Sequence, residues 1–281
     1  MANDRHSSDH FVLAPYLAAA VQLNSREGFA ANLIAATRWC EEAARRGASL
    51  IALPETFTCL GRPEAMLAAA EDIPGATSES LGRLAARLGV TLLAGSIPER
   101  AEEGRAYNTS LLFDPQGRLL ARYRKRHLFD IDLPGQVPHC ESRWFAAGEE
   151  ALAVDTPCGR LGLAICYDLR FPEHFRLLAD AGAKMIAVPS AFTLATGRDH
   201  WDVLLRARAI ENQAYVIAPN QFGVHTPAPT TFGRSMIVDP WGIPLAIAAD
   251  GEGLALAEIN PDRLAEIRAH LPALRHRRDV L

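Results

Sequence analysis

Three turns of one kind constrain this chain more than any other feature: Asp114-Pro115-Gln116-Gly117, Thr156-Pro157-Cys158-Gly159 and Asp239-Pro240-Trp241-Gly242. Each places Pro where a φ of about −65° suits a turn, and Gly where φ can be positive. Each separates two apolar runs: 109–113 from 119–124, 152–155 from 161–165, and 235–238 from 243–248. Three hairpins are too many for a purely doubly wound parallel sheet. Helical patterns nevertheless intervene. The segment 26–46 carries Leu33, Ile34, Trp39 and Ala43 at helical spacing and stops at Gly47. Further helices are expected at about 80–88, 172–181 and 201–213, with strands at 17–23, 50–53 (broken by Pro54), 90–97, 185–188 and 215–218. Alternating β and α with interspersed hairpins implies mixed sheets covered by helices, a layered α/β sandwich.

With 281 residues, 49 % of them hydrophobic and 22 % charged, the chain has the balance of a globular protein and enough length for a large core and a buried site. No linker, low-complexity tract or repeat divides it, so a single domain is expected over 15–281 after a disordered tail at 1–14. The net charge of −4 comes without any long run of like charge, which argues against nucleic acid as a partner. Five cysteines, an odd number without a C-x-x-C pair, argue against a disulfide framework or a thiol zinc site and for a reducing compartment, the cytoplasm. The stretch 11–23, with A-x-A at 18–20, imitates a signal peptide, but Asp4 and Asp9 outweigh Arg5 before it, so a positive n-region is missing. No apolar run reaches the roughly 18 residues of a membrane span.

The strongest chemical signal is Cys166. It ends the apolar run Leu161-Gly162-Leu163-Ala164-Ile165 and is followed by Tyr167-Asp168 and the helix starter Pro172. Such a strand–turn–helix elbow lifts a side chain off the sheet and gathers N–H groups that can hold an oxyanion. A buried structural cysteine fits the pattern equally well. A thiol needs a base or a cation to react near neutrality, and the nine histidines offer no evident partner. Glu55, directly after Leu53-Pro54, is either a surface charge or a site residue. Lys125 is either a site cation or part of a solvated basic turn with Arg122, Arg124 and Arg126.

Together these residues are more specific than they are singly. LPETF at 53–57, YRKRHLFDID at 123–132, ICYDLRFPE at 165–173 and HWDVLLRARAIENQAYV at 200–216, supported by FGRSMIVDPWG at 232–242 and HLPALRHRRD at 270–279, make the chain resemble the nitrilase (carbon-nitrogen hydrolase) superfamily from about 18 to 280. Within it the chain looks most like the Nit branch of deaminated-glutathione amidases and omega-amidases, and closest to the former. The resemblance implies a nitrilase-like α-β-β-α sandwich and a cysteine amidohydrolase working on linear amides. It implies Glu55 as general base, Lys125 as cationic member, Cys166 as nucleophile, and Glu141 as a second glutamate that positions Lys125 or the substrate. The N–H of Tyr167 would help hold the oxyanion, Arg170 would bind a substrate carboxylate, and Phe192 and Thr196 would line the pocket. Ala147 stands before Gly148 where the family usually has Pro. No metal or organic cofactor is implied. The expected partners are a small amide bearing a carboxylate and further copies of the chain, meeting through the helices near 172–181 and 201–213 in a dimer or larger homo-oligomer. Omega-amidase or N-carbamoyl amidohydrolase activity is the alternative within the superfamily. Outside it, Glu55, Asn108, His127 and Asp168 could be assembled as ligands of a metal phosphoesterase, or the chain could be a non-catalytic partner protein that kept the fold.

Overall fold

A computed structural model describes residues 14–132 and 139–278. The expected tail, Ala14 apart, lies outside the described residues. Strands β1 (Tyr16–Gln22), β2 (Ala48–Ala52) and β3 (Thr91–Arg100) run parallel, and β4 (Ala106–Phe113) and β5 (Leu119–Arg124) return antiparallel beside them. Gly253–Ile259 closes the other edge against β1, and Phe145–Ala146 joins β4. A second sheet of six strands runs in the order Pro244–Ile247, Met236–Val238, Tyr215–Ala218, Met185–Ala187, Gly159–Leu163, Ala153–Thr156. Its three central strands are parallel, and its outer pairs are antiparallel hairpins. All three Pro–Gly turns join adjacent antiparallel strands.

Strand alternation builds the layers. Ala18 and Ala20 of β1 face a core shared with the second sheet, whereas Ala19 and Val21 face the outer side. That outer side is covered by α1 (Phe29–Arg45) through Ala36, Cys40 and Ala43, and later by a helix at Ala76–Leu88 through Leu81, Leu84 and Ala85. Beyond the second sheet lie the helices Pro172–Asp180 and Leu194–Asn212, which bury Phe175, Leu178, Trp201, Leu205 and Ala209. The result is the expected α-β-β-α sandwich in one domain.

Several boundaries differ from the sequence reading. The helix expected at 80–88 begins at Ala76, because the Glu71 carboxylate accepts the N–H groups of Thr77 and Ser78 from outside the helix. The helix expected at 201–213 begins at Leu194. Its first turns contain Gly197, where an added Cβ would come within 2.4 Å of Phe232 Cβ. Glycine's low helix propensity hides a turn that tertiary packing requires.

One glycine fixes the approach to the site. Gly95 in β3 has φ +34°, and a Cβ there would lie 1.9 Å from the carbonyl oxygen of Pro54. The β3–β4 register shifts between Ala94 and Ile97 at this point. Ser96 Oγ accepts the N–H of Thr56 at 2.9 Å, so the bulge holds the segment on either side of Glu55. Gly95→Ala is therefore expected to destabilise the protein by at least about 2 kcal/mol, through backbone overlap and a disfavoured φ. Urea unfolding checks this, and an unchanged midpoint would contradict it.

Candidate active site

Four chain segments end at one cavity of about 300 Å³. Beyond the end of β2 comes Glu55, just past β5 comes Lys125, and after Gly159–Leu163 comes Cys166. Glu141 opens a short 3-10 turn, Glu141–Arg143, whose N–H at residue 141 donates to the carbonyl of Phe129. All eight residues to which the family resemblance gave a site role line this cavity: Glu55, Lys125, Glu141, Cys166, Tyr167, Arg170, Phe192 and Thr196.

The Lys125 ammonium is 2 % exposed and donates to Glu55 Oε1 at 2.9 Å and to Glu141 Oε2 and Oε1 at 2.9 and 3.1 Å. It is not part of a solvated basic turn. Nor are its neighbours: Arg122 and Arg124 pair with the buried Glu99, and Arg126 donates to His174 Nδ1. Glu55 Oε2 accepts the N–H of Ala191 at 2.7 Å, and Glu141 Oε2 accepts that of Phe129 at 2.6 Å. Both carboxylates are thus fixed in direction as well as paired. Gly148 completes the cation's support. Its N–H donates to the Lys125 carbonyl at 2.8 Å, and a Cβ there would meet Arg124 O at 2.3 Å, so glycine is required whether Pro or Ala precedes it.

Cys166 has φ +45° and donates its N–H to the Pro189 carbonyl at 2.9 Å. A left-handed cysteine costs free energy that the surrounding structure must offset, and such strain clusters at functional sites. The residue opens the 3-10 segment Cys166–Arg170, so the N–H of Tyr167 lies in a first turn, where it has no acceptor within the turn.

The electrostatics are those of one coupled cluster. Burial pushes the Cys166 thiol well above its ordinary range and Glu55 adds to this, with Lys125 opposing. Burial works against the Lys125 charge, but Glu141 and Glu55 outweigh it and hold the ammonium well above its ordinary range. The resting cluster is a neutral thiol beside one ammonium and two glutamates. Moving the thiol proton onto Glu55 leaves the net charge of the cluster unchanged, a favourable property in a site shielded from water.

Arg170 is half-buried, not buried as a fully desolvated guanidinium would be. It donates to His200 Nδ1 at 3.2 Å and lies over the Phe192 ring, with no carboxylate paired to it among the described residues. A pairing with Asp168 or Glu173 does not form. The four ligands imagined for a metal do not converge either. Asp168 and His127 bond each other away from Glu55 and Asn108, and among the described residues no group of three or more His, Cys, Asp or Glu is placed to hold a metal ion.

The profile of the family described as carbon-nitrogen hydrolase matches residues 17–269. The chain belongs to the carbon-nitrogen hydrolase family. It is 49 % identical over 269 residues to the deaminated glutathione amidase of Synechocystis sp., covering 94 % of this chain and 99 % of that one. It is 40 % identical to the omega-amidase NIT2 of Homo sapiens, covering 89 % and 90 %. Its structure is similar to that of Nit3 of Saccharomyces cerevisiae, a member of branch 10 of the nitrilase superfamily, with a TM-score of 0.86, 33 % identity and coverage of 95 % and 98 %.

In this carbon-nitrogen hydrolase, what the sequence does not reveal is how the loops bearing Lys125 and Cys166 are tied together. Asp168, fully buried, accepts four bonds: from Tyr123 Oη (2.6 Å), Ile165 N (2.8 Å), His127 N (3.0 Å) and His127 Nδ1 (2.7 Å). Two donors flank Lys125 and one precedes Cys166, so a single carboxylate sets their separation. Burial opposes the Asp168 charge, but the bonds from His127 and Tyr123 and the nearby His174 outweigh it and hold its pKa below the usual carboxylate range. A depressed folded pKa contributes stability above the unfolded value of about 3.9, lost as pH falls through the folded value. Wild type is therefore expected to lose stability steeply as pH falls through this acidic window. Asp168→Asn should be less stable at pH 7, by about 3 kcal/mol, with a shallower acid dependence. Parallel urea midpoint curves for the two proteins against pH would contradict this.

Proposed function

We propose that the protein is a cysteine amidohydrolase that cleaves the amide of a 2-oxoglutarate acyl group, with deaminated glutathione as preferred substrate and 2-oxoglutarate and cysteinylglycine as products. The reading is carried by Arg170, a guanidinium with which no carboxylate pairs among the described residues, on the wall of the cavity that also holds Cys166. A planar fork of this kind suits a substrate carboxylate. The extensive similarity to relatives named deaminated glutathione amidase supports the choice of leaving group.

In this mechanism Glu55 takes the proton of Cys166 and the thiolate attacks the amide carbon. The developing oxyanion is held by the Lys125 charge and the N–H of Tyr167. Glu55 returns the proton to the leaving nitrogen, leaving a thioester, and then activates the water that hydrolyses it. Glu141 holds Lys125 through the cycle. Phe192 and Thr196 shape the acyl pocket beside Arg170. The enzyme works in the cytoplasm as a homo-oligomer. Leu177, Val203 and Ile210, exposed apolar residues of Pro172–Asp180 and Leu194–Asn212, suit an interface between copies. Among the described residues no helix is long and apolar enough to cross a membrane.

A panel of amides, N-carbamoyl compounds and nitriles scored by kcat/KM tests the substrate. Deaminated glutathione should lead, with 2-oxoglutaramate behind it and neutral amides far behind. Arg170→Lys should weaken the carboxylate substrates by about 10-fold or more while leaving neutral amides nearly unaffected. Equal loss for both classes would make Arg170 structural. Faster turnover of 2-oxoglutaramate would favour omega-amidase activity, the reading that similarity to the human omega-amidase also supports.

A further inference from the structure

One side chain bonds both carboxylates of the cluster and has no role in the mechanism above. Asn108 on β4 is 2 % exposed and lines the cavity. Its Nδ2 donates to Glu55 Oε1 at 2.8 Å and to Glu141 Oε1 at 3.3 Å, and its main-chain carbonyl accepts the N–H of Lys125 at 2.9 Å. Only the amide nitrogen can face two carboxylates, because the oxygen has no proton to donate. That orientation leaves Asn108 Oδ1 buried without a partner among the described residues. An unpaired buried acceptor costs stability, so the fold retains the two N–H bonds at the expense of a satisfied amide.

We propose that Asn108 is a positioning residue for the Glu55–Cys166 proton transfer: its neutral amide spans two like-charged carboxylates, holding Glu55 toward the thiol and Glu141 on Lys125. The inference rests on Glu55 being the base of the proposed mechanism. The groups facing Glu55 are Lys125 after β5, Glu141 on its 3-10 turn, Cys166 on the elbow and His139 on the strand His139–Cys140. Lys125 supplies the positive charge and directs its three donors to Glu55 Oε1 and both oxygens of Glu141. Asn108 adds a donor to both without adding charge.

The test is the pH dependence of two rates in Asn108→Asp, Asn108→Ser and Glu55→Gln. One is kcat/KM on the preferred amide, whose acid limb reports the free enzyme's base. The other is iodoacetamide alkylation of Cys166, followed by peptide mass, which needs no substrate and remains readable if turnover is lost. Asn108→Asp places a third carboxylate against Glu55, and like charge favours proton uptake, so the acid limb of both rates should move up by about one pH unit or more. Asn108→Ser removes the donors without adding charge and should move it in the same direction by less. Limbs that stay at the wild-type position in both variants, whatever the loss in kcat, would make Asn108 structural. Glu55→Gln separates the two levels of the argument. If it alkylates Cys166 with the wild-type pH profile, Glu55 is not the base and the mechanism fails. If it is impaired while both Asn108 variants keep the wild-type limb, the Asn108 proposal alone fails.

Discussion

The buried ammonium of Lys125 between the carboxylates of Glu55 and Glu141 is the interaction on which the rest of the site depends. Removing three charges from water costs several kcal/mol per ion unless each is paired and hydrogen-bonded. Here the two glutamates share the lysine, the Asn108 amide, and the N–H groups of Ala191 and Phe129. Those four donors come from three separate segments: β4, the loop after β5 and the loop before Leu194–Asn212. The cluster therefore exists only when β2, β4, β5 and the loops after both sheets are in place, and local geometry becomes a consequence of the whole sandwich.

Two histidines brace the site from outside the cavity, whereas His139 lines it. His127 and His174 lie behind the elbow, where His127 stacks on Phe171 with ring centroids 3.8 Å apart and donates to Asp168. His174 Nε2 bonds the Leu163 carbonyl at 3.0 Å, tying the same network to the strand that leads to Cys166. In the proposed mechanism the base is a carboxylate, Glu55. An imidazole taking the thiol proton would create a new positive charge beside Lys125, whereas Glu55 becomes neutral when it takes that proton.

Much of this was legible in the sequence, for identifiable reasons. The Pro–Gly turns at 114–117, 156–159 and 239–242 each specify their own backbone geometry, so the hairpins followed from local chemistry. The three motifs carrying Glu55, Lys125 and Cys166 sit at strand ends, where apolar runs stop and polar residues begin. What was not legible depends on distant partners. Asp168 resembles a neighbour for Arg170 in the sequence, but its bonds run to Tyr123 and His127, 45 and 41 residues away. Asn108 lies among Tyr107, Thr109 and Ser110 of β4, and its partners Glu55 and Glu141 are 53 and 33 residues distant. The short helix Pro63–Ala68 and the hairpin Phe222–His225 with Ala228–Phe232, which contribute Pro63, Met66 and Ala228 to the cavity wall, lack enough period or apolar content to be read.

If this cluster drives covalent catalysis at one thiol, the acyl group of the substrate passes through Cys166. The most direct measurement is acid-quench peptide mapping of the enzyme during turnover of a slow amide. The account predicts a single acyl adduct on the peptide containing Cys166, formed and lost at the turnover rate, with Cys40, Cys59, Cys140 and Cys158 unmodified. Steady turnover without any adduct on Cys166, or undiminished turnover by Cys166→Ser, would contradict it.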